Sequence, residues 1–156
     1  MRKFLTQLEN KIKTKSDLIF YLENIDLAME MIMKSYNEPL SEKLKKSSLG
    51  YLGNILLEIS SEKSFQETDQ KIFLLELLKK HILFLQQVKL EISFHPNEEV
   101  IDKIRDWFEK EIGEKVIIDL IINPSVVGGA IIEYDGKAVD FSIAKEIKKM
   151  EIKIPN

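Results

Sequence analysis

The sequence predicts an α+β protein, with an N-terminal helical bundle over residues 1–87 and a small α/β domain over residues 88–156. Three observations lead there. From Phe4 to Leu85 apolar residues recur every three or four positions, the spacing of helices that bury one stripe. At Val88 the period drops to two, the spacing of a strand with one buried face. From Asn123 onward the breaks Asn-Pro, Gly-Gly and Asp-Gly punctuate short apolar runs, as turns between strands do.

Taken in order, Phe4, Leu5, Leu8 and Ile12 share one face of a short first helix, and Lys11 to Lys15 form a polar joint. Thr14 or Ser16 caps a second helix from Asp17 to about Tyr36, whose stripe is Leu18, Ile19, Leu22, Ile25, Met29, Ile32 and Met33. Asn37-Glu38-Pro39 ends it. A third helix, near Leu40 to Ile59, carries Leu44, Leu49, Leu52, Leu56 and Ile59, with Ser48, Gly50 and Gly53 small enough for a close crossing. The run Thr68 to Val88 is the most apolar and is expected to be the central, most buried helix.

Val88, Leu90, Ile92 and Phe94 then alternate with Lys89, Glu91, Ser93 and His95 in the first strand. Pro96 and Asn97 open a helix carrying Val100, Ile101, Ile104, Trp107, Phe108 and Ile112, and Gly113 stops it. Lys115 to Ile122 is the second strand, ended by Asn123-Pro124. Gly128-Gly129 calls for positive φ or close backbone approach at one position or both. Ala130 to Tyr134 pairs with Lys137 to Asp140 through an Asp135-Gly136 turn, and Ser142 caps a last helix.

Charge is balanced overall, with 23 basic and 26 acidic residues, which gives no electrostatic footprint for nucleic acid. It is unevenly spread. Through Leu90 there are 14 basic and 12 acidic residues, and after it 9 and 14, so the C-terminal part stands at −5 and favours a basic protein partner. Cysteine is absent, which excludes disulfides and thiol chemistry. Thr6, Gln7, Glu9 and Asn10 interrupt the apolar run a signal peptide needs, so none is expected. Glu76, Lys79-Lys80, Asp119 and Asn123 likewise break the longest apolar stretches far short of the roughly 20 apolar residues of a membrane span. Association with a membrane would therefore run through a partner.

No catalytic, cofactor-binding or metal-binding residue is assigned. Neither His81 nor His95 stands with an acid at ligand spacing in a recognised motif. Glu98, Glu99, Asp102, Asp106 and Glu109 share a helix with Lys103, Arg105 and Lys110, the pattern of a solvated face rather than an acid–base pair. Gly128-Gly129 is not a phosphate loop, since no Gly-Lys precedes a helix there. Lys43, Lys45 and Lys46 form a basic patch without aromatic residues, a poor platform for single-stranded nucleic acid.

The order Pro124-Ser125-Val126-Val127-Gly128-Gly129, a four-residue strand, an Asp-Gly turn, then Val139-Asp140-Phe141-Ser142 and a helix resembles the C-terminal domain of the delta subunit of F-type ATP synthases, the family of the oligomycin-sensitivity-conferring protein. Pro124, Ser125, Gly128, Gly129, Asp140 and Ser142 match the family pattern, while Asn123 stands for its Asp and Asp135-Gly136 for its Gly-Asp turn. The likeness extends over Val88 to Met150. The family's other domain is a six-helix bundle opening with Tyr-Ala-x-Ala-Leu. That pattern is missing from residues 1–40, and four helices are read here, a shortened bundle.

The resemblance implies a non-catalytic stator subunit of a rotary proton-translocating ATP synthase, peripheral on the cytoplasmic face of the membrane. Its implied partners are a b-type stalk helix and an alpha-type subunit of the catalytic head, without cofactor, nucleic acid or membrane insertion. The stretch Gly128 to Ser142 is also similar to the E-type stator subunit of V- and A-type ATPases, whose long charged N-terminal helix is absent here. A generic helical adaptor and a small enzyme using the acidic surface are the other function classes.

Overall fold

Phe4, Leu8 and Ile12 follow one another at four-residue steps; α1 (Arg2–Lys11) buries the first two, and Ile12 is buried just past its end. The computed structural model describes residues 2–34, 42, 49–62 and 67–151. Its backbone separates into two units, Met1–Ile12 with Asp17–Phe84, and Lys13–Ser16 with Leu85–Asn156.

The first unit holds α1 and three further described helices, α2 (Lys15–Met33, from Asp17 on), α3 (Gly50–Ser61) and α4 (Thr68–Leu83). Their buried side chains include Leu18, Ile25, Ile32, Leu52, Ile55, Leu56, Ile59, Leu74, Leu75, Leu78 and Ile82. Burying one such side chain stabilises by about 2 kcal/mol. Lys79 pairs with Asp26 at 2.5 Å, Lys3 with Glu58, and His81 with Glu9.

Three expectations change here. On α2 the buried face is Leu18, Tyr21, Asn24, Ile25, Ala28 and Ile32, while Ile19 and Met33 are exposed. Asn24 is tolerated because its amide donates to the Phe20 carbonyl oxygen at 2.7 Å. On α4, Leu74, Leu75, Leu78 and Ile82 are buried but Phe73 is 58% exposed and Leu83 and Phe84 are also open, so this helix has a bare apolar side and is not enclosed all round. The helix ends at Leu83, several residues before Val88. The third helix, expected from Leu40, is described from Gly50, and the stretch 43–48 lies outside the described residues.

The second unit is a four-stranded sheet in the order β2-β1-β3-β4, with β1 (Gln86–Ile92), β2 (Val116–Ile122), β3 (Ile131–Tyr134) and β4 (Lys137–Asp140). β1 begins two residues before the alternation at Val88. It pairs in parallel with β2, from Gln86↔Val116 to Ile92↔Ile122, so the chain needs a crossover, and α5 (Glu98–Ile112) supplies it. β1 pairs on its other side antiparallel with β3, and β3 with β4 as a hairpin. Asp135 at φ 50° and Gly136 at φ 70° give the hairpin the two positive-φ residues its turn requires.

Asn97 caps α5 by accepting from the Val100 N–H at 3.0 Å, and Gly113 at φ 84° ends it. The core lies between α5 and one sheet face: Val88, Leu90 and Ile92 on β1, Val116 and Ile118 on β2, Ile101 and Phe108 on α5. Residues 13–16 belong to this unit. Thr14 bridges Ile118, whose N–H donates to the Lys13 carbonyl oxygen at 3.0 Å, and Lys13 and Lys15 pair with Asp102 and Asp119.

Candidate functional site

The loop that joins β2 to β3 is held by its own side chains. Asn123 accepts from the Ser125 N–H at 3.0 Å and from its hydroxyl at 2.6 Å, and its amide donates to Glu91 at 3.0 Å. That donation is the main reason the Glu91 carboxyl sits below the ordinary carboxylate range, with Lys89 assisting. Pro124 opens a single 3-10 turn, Pro124–Val126, where its missing N–H costs nothing. Val127 follows at φ 62° and ψ −49°, and the Gly128 N–H reaches back to the Val126 carbonyl oxygen at 2.7 Å. This is a positive-φ γ-turn on a β-branched residue, a strained arrangement. Replacing Val127 by Gly should raise stability by about 1 kcal/mol, because relief of strain exceeds the entropy glycine adds to the unfolded chain. Urea unfolding of the two proteins checks it, and a loss of stability would contradict the account.

The glycine pair meets the start of the last helix, α6 (Ile143–Glu151). Gly128 accepts from the Ile143 N–H at 2.9 Å. Gly129, at φ 77°, leaves no room: a Cβ there would lie 2.2 Å from the Phe141 carbonyl oxygen. Asp140 accepts from the Ser142 N–H at 2.8 Å, and Ser142 caps α6 by accepting from the Lys145 N–H at 3.2 Å. The motif residues Pro124, Ser125, Gly128, Gly129, Asp140 and Ser142 thus turn the chain and fasten the helix start. None of them is among the residues that line the apolar groove between α5 and the sheet.

Bonding to Ser142 also holds the Asp140 carboxyl below its ordinary pKa, with Lys145 and Lys148 adding charge. A depressed folded-state pKa gives stability that is complete above the unfolded value, near 3.9, and is lost as pH falls through the folded value. Urea midpoints measured from about pH 5 down to about pH 2 should therefore drop less for Asp140→Asn than for the unaltered chain. Equal acid slopes would remove this role.

That groove lies beside the motif, an open apolar hollow of about 290 Å³ in the second unit. Val100, Ile104 and Trp107 of α5 form one wall, and Leu90, Ile92, Ala130 and Ile132 the floor. Trp107 stacks edge-on against Phe108 at 4.8 Å yet stays 48% exposed. Opposite it, Val139, the register partner of Ile132, and Phe141, two residues on, fall on the same sheet face and are 48% and 62% exposed. Sequence reasoning assigned Trp107 to the core stripe of its helix. What it lacked was the width of the sheet, which exceeds what one helix covers.

Among the described residues no three His, Cys, Asp or Glu side chains stand close enough to hold a metal ion. His81 meets Glu9 across 72 residues of sequence, and Lys103 pairs with Glu99 along α5. An apolar groove with a polar margin and no cluster of reactive groups is suited to holding a helix.

A family model for the ATP synthase delta (OSCP) subunit matches residues 1–154. The chain belongs to the ATP synthase delta (OSCP) subunit family. An ATP synthase subunit delta from Thermosipho africanus is 28% identical to it over 120 residues, covering 77% of this chain and 63% of that protein. One from Malacoplasma penetrans is 24% identical over 147 residues, 93% of this chain and 77% of that one. The delta-family chain thus spans less than two-thirds of the Thermosipho relative's length. A chain in the cryo-EM structure of the Toxoplasma gondii mitochondrial ATP synthase hexamer covers 87% of this one at 12% identity and a TM-score of 0.37, too slight a likeness to carry an argument. The α+β class expected of the delta family is the one observed, helices followed by a mixed sheet with α5 across it.

Proposed function

We propose that this chain is a non-catalytic peripheral-stalk (stator) subunit of an F-type, proton-translocating ATP synthase. The match to the delta (OSCP) family over residues 1–154 carries the reading. Among the described residues no helix is long and apolar enough to cross a membrane. A stator subunit attached through its partners resists rotor torque by gripping two of them at once. The α/β unit, Leu85–Asn156 together with Lys13–Ser16, supplies the groove for a b-type stalk helix, which lays its apolar face between α5 and β4. The helical unit holds an alpha-type subunit of the catalytic head, through apolar side chains left exposed on α2 and α4 such as Phe20, Leu27 and Phe73. The motif residues serve this work by fixing the β2–β3 loop and the start of α6, and take no part in chemistry. In this reading the chain is peripheral on the cytoplasmic face of the membrane and carries no cofactor.

The test is to tag the full chain, purify it from native membranes and identify what accompanies it. Head and stalk subunits of an F-type ATP synthase are expected, and depletion of the chain should separate ATP hydrolysis from proton pumping. Recovery with unrelated proteins, or with subunits of a V- or A-type ATPase, would refute the assignment.

A further inference from the structure

We propose that the groove selects its occupant by charge as well as shape, taking an amphipathic helix whose apolar face is flanked by carboxylates, with Lys103 the residue that reads them. This rests on the reading that the α/β unit holds a stalk helix. It reverses what the C-terminal net charge of −5 implies, because the fold sorts the charges by face.

Leu90, Ile118 and Ile132 point to the α5 side of the sheet, so their neighbours on the strands point away from it. Glu91, Asp119 and Glu133 therefore lie on the far face, where Lys89 pairs with Glu91 and Glu133, and Lys15 with Asp119. They are turned from the groove and already matched. Lys103 lines the groove itself. Lys110, seven residues on, falls on the same side of α5, and Lys137, two residues before Val139, falls on the groove face of β4.

The acids on this flank of α5 are Glu99, paired with Lys103 at 2.6 Å, Asp106, three residues after Lys103 and four before Lys110, and Glu111 at the helix end. The Glu99–Lys103 pair is 72% exposed on both sides, so water screens it and Lys103 can leave it for a carboxylate on an incoming helix. Once that helix covers Trp107 and the floor, the new pair is shielded from solvent and discriminates more strongly between partners.

The test uses two synthetic peptides sharing one apolar face of leucine and alanine at i, i+3, i+4 and i+7, one flanked by glutamates and the other by lysines. Each is titrated into the full chain by calorimetry and by emission from its single tryptophan, Trp107. The glutamate peptide should bind about tenfold tighter at low salt, with the preference shrinking as salt rises. Lys103→Glu should erase or invert that preference, whereas Trp107→Ala should weaken both peptides alike by about tenfold or more. A lysine peptide bound as tightly as the glutamate one, or a preference untouched by Lys103→Glu, would overturn the charge selection alone. Failure of both peptides to bind would overturn the helix-groove reading together with it.

Discussion

Replacing Gly129 by Ala is expected to destabilise the α/β unit by about 3 kcal/mol or more, one of the largest single-residue effects in the chain. Two penalties coincide there. The backbone sits at φ 77°, where an L side chain is strained, and the added Cβ would meet the Phe141 carbonyl oxygen at 2.2 Å. A carbonyl cannot rotate aside as a side chain can, and Phe141 is itself held by its N–H donating to the Ala130 carbonyl oxygen at 2.8 Å. Relief would thus require β3 and the start of α6 to part. Gly136→Ala is the matched comparison, with φ 70° but nothing within 4 Å, and should cost only about 1 kcal/mol. Urea unfolding of the full chain distinguishes the two. Equal losses at Gly129 and Gly136 would show that conformation alone, not crowding, sets the cost.

Leu78→Ala should cost about 3 kcal/mol, since Leu78 is fully buried on α4 and a truncation there leaves a cavity. Phe73, five residues earlier on the same helix, is 58% exposed, and Phe73→Ser should change stability by no more than about 0.5 kcal/mol. Under the proposed stator role, its effect should instead appear when the purified chain is mixed with the catalytic head. A Phe73→Ser variant that unfolds as readily as Leu78→Ala would mean the apolar side of α4 is packed within the unit.

These two residues also mark how far the sequence could be read. Element type and order were legible, because period changes at Val88 and breaks at Asn123-Pro124, Asp135-Gly136 and Gly113 are local signals. The buried side of each helix was less so. Apolar spacing identified Leu18, Ile25 and Ile32 but could not tell that Tyr21 and Ala28 face inward and Ile19 and Met33 outward, since two overlapping stripes fit α2 equally. Trp107 was placed in the core for a different reason, because its helix spacing does not reveal that the sheet is wider than one helix covers. The six motif residues were found by resemblance, but the strain beside them falls on Val127, and no local pattern marks a valine at positive φ. His81 with Glu9, and Thr14 with Ile118, were beyond reach because they join residues far apart in the chain.

The pairing of Thr14 with Ile118 governs how the protein can be dissected. Cutting the gene at the apparent joint, just before Leu85, would leave the outer edge of β2 without the backbone oxygen of Lys13, and Asp102 and Asp119 without their ammonium partners. An uncovered strand edge is a template for pairing with another molecule. Such a truncated product should therefore self-associate, and a peptide spanning residues 11–17 supplied in trans should suppress that association by re-covering the edge.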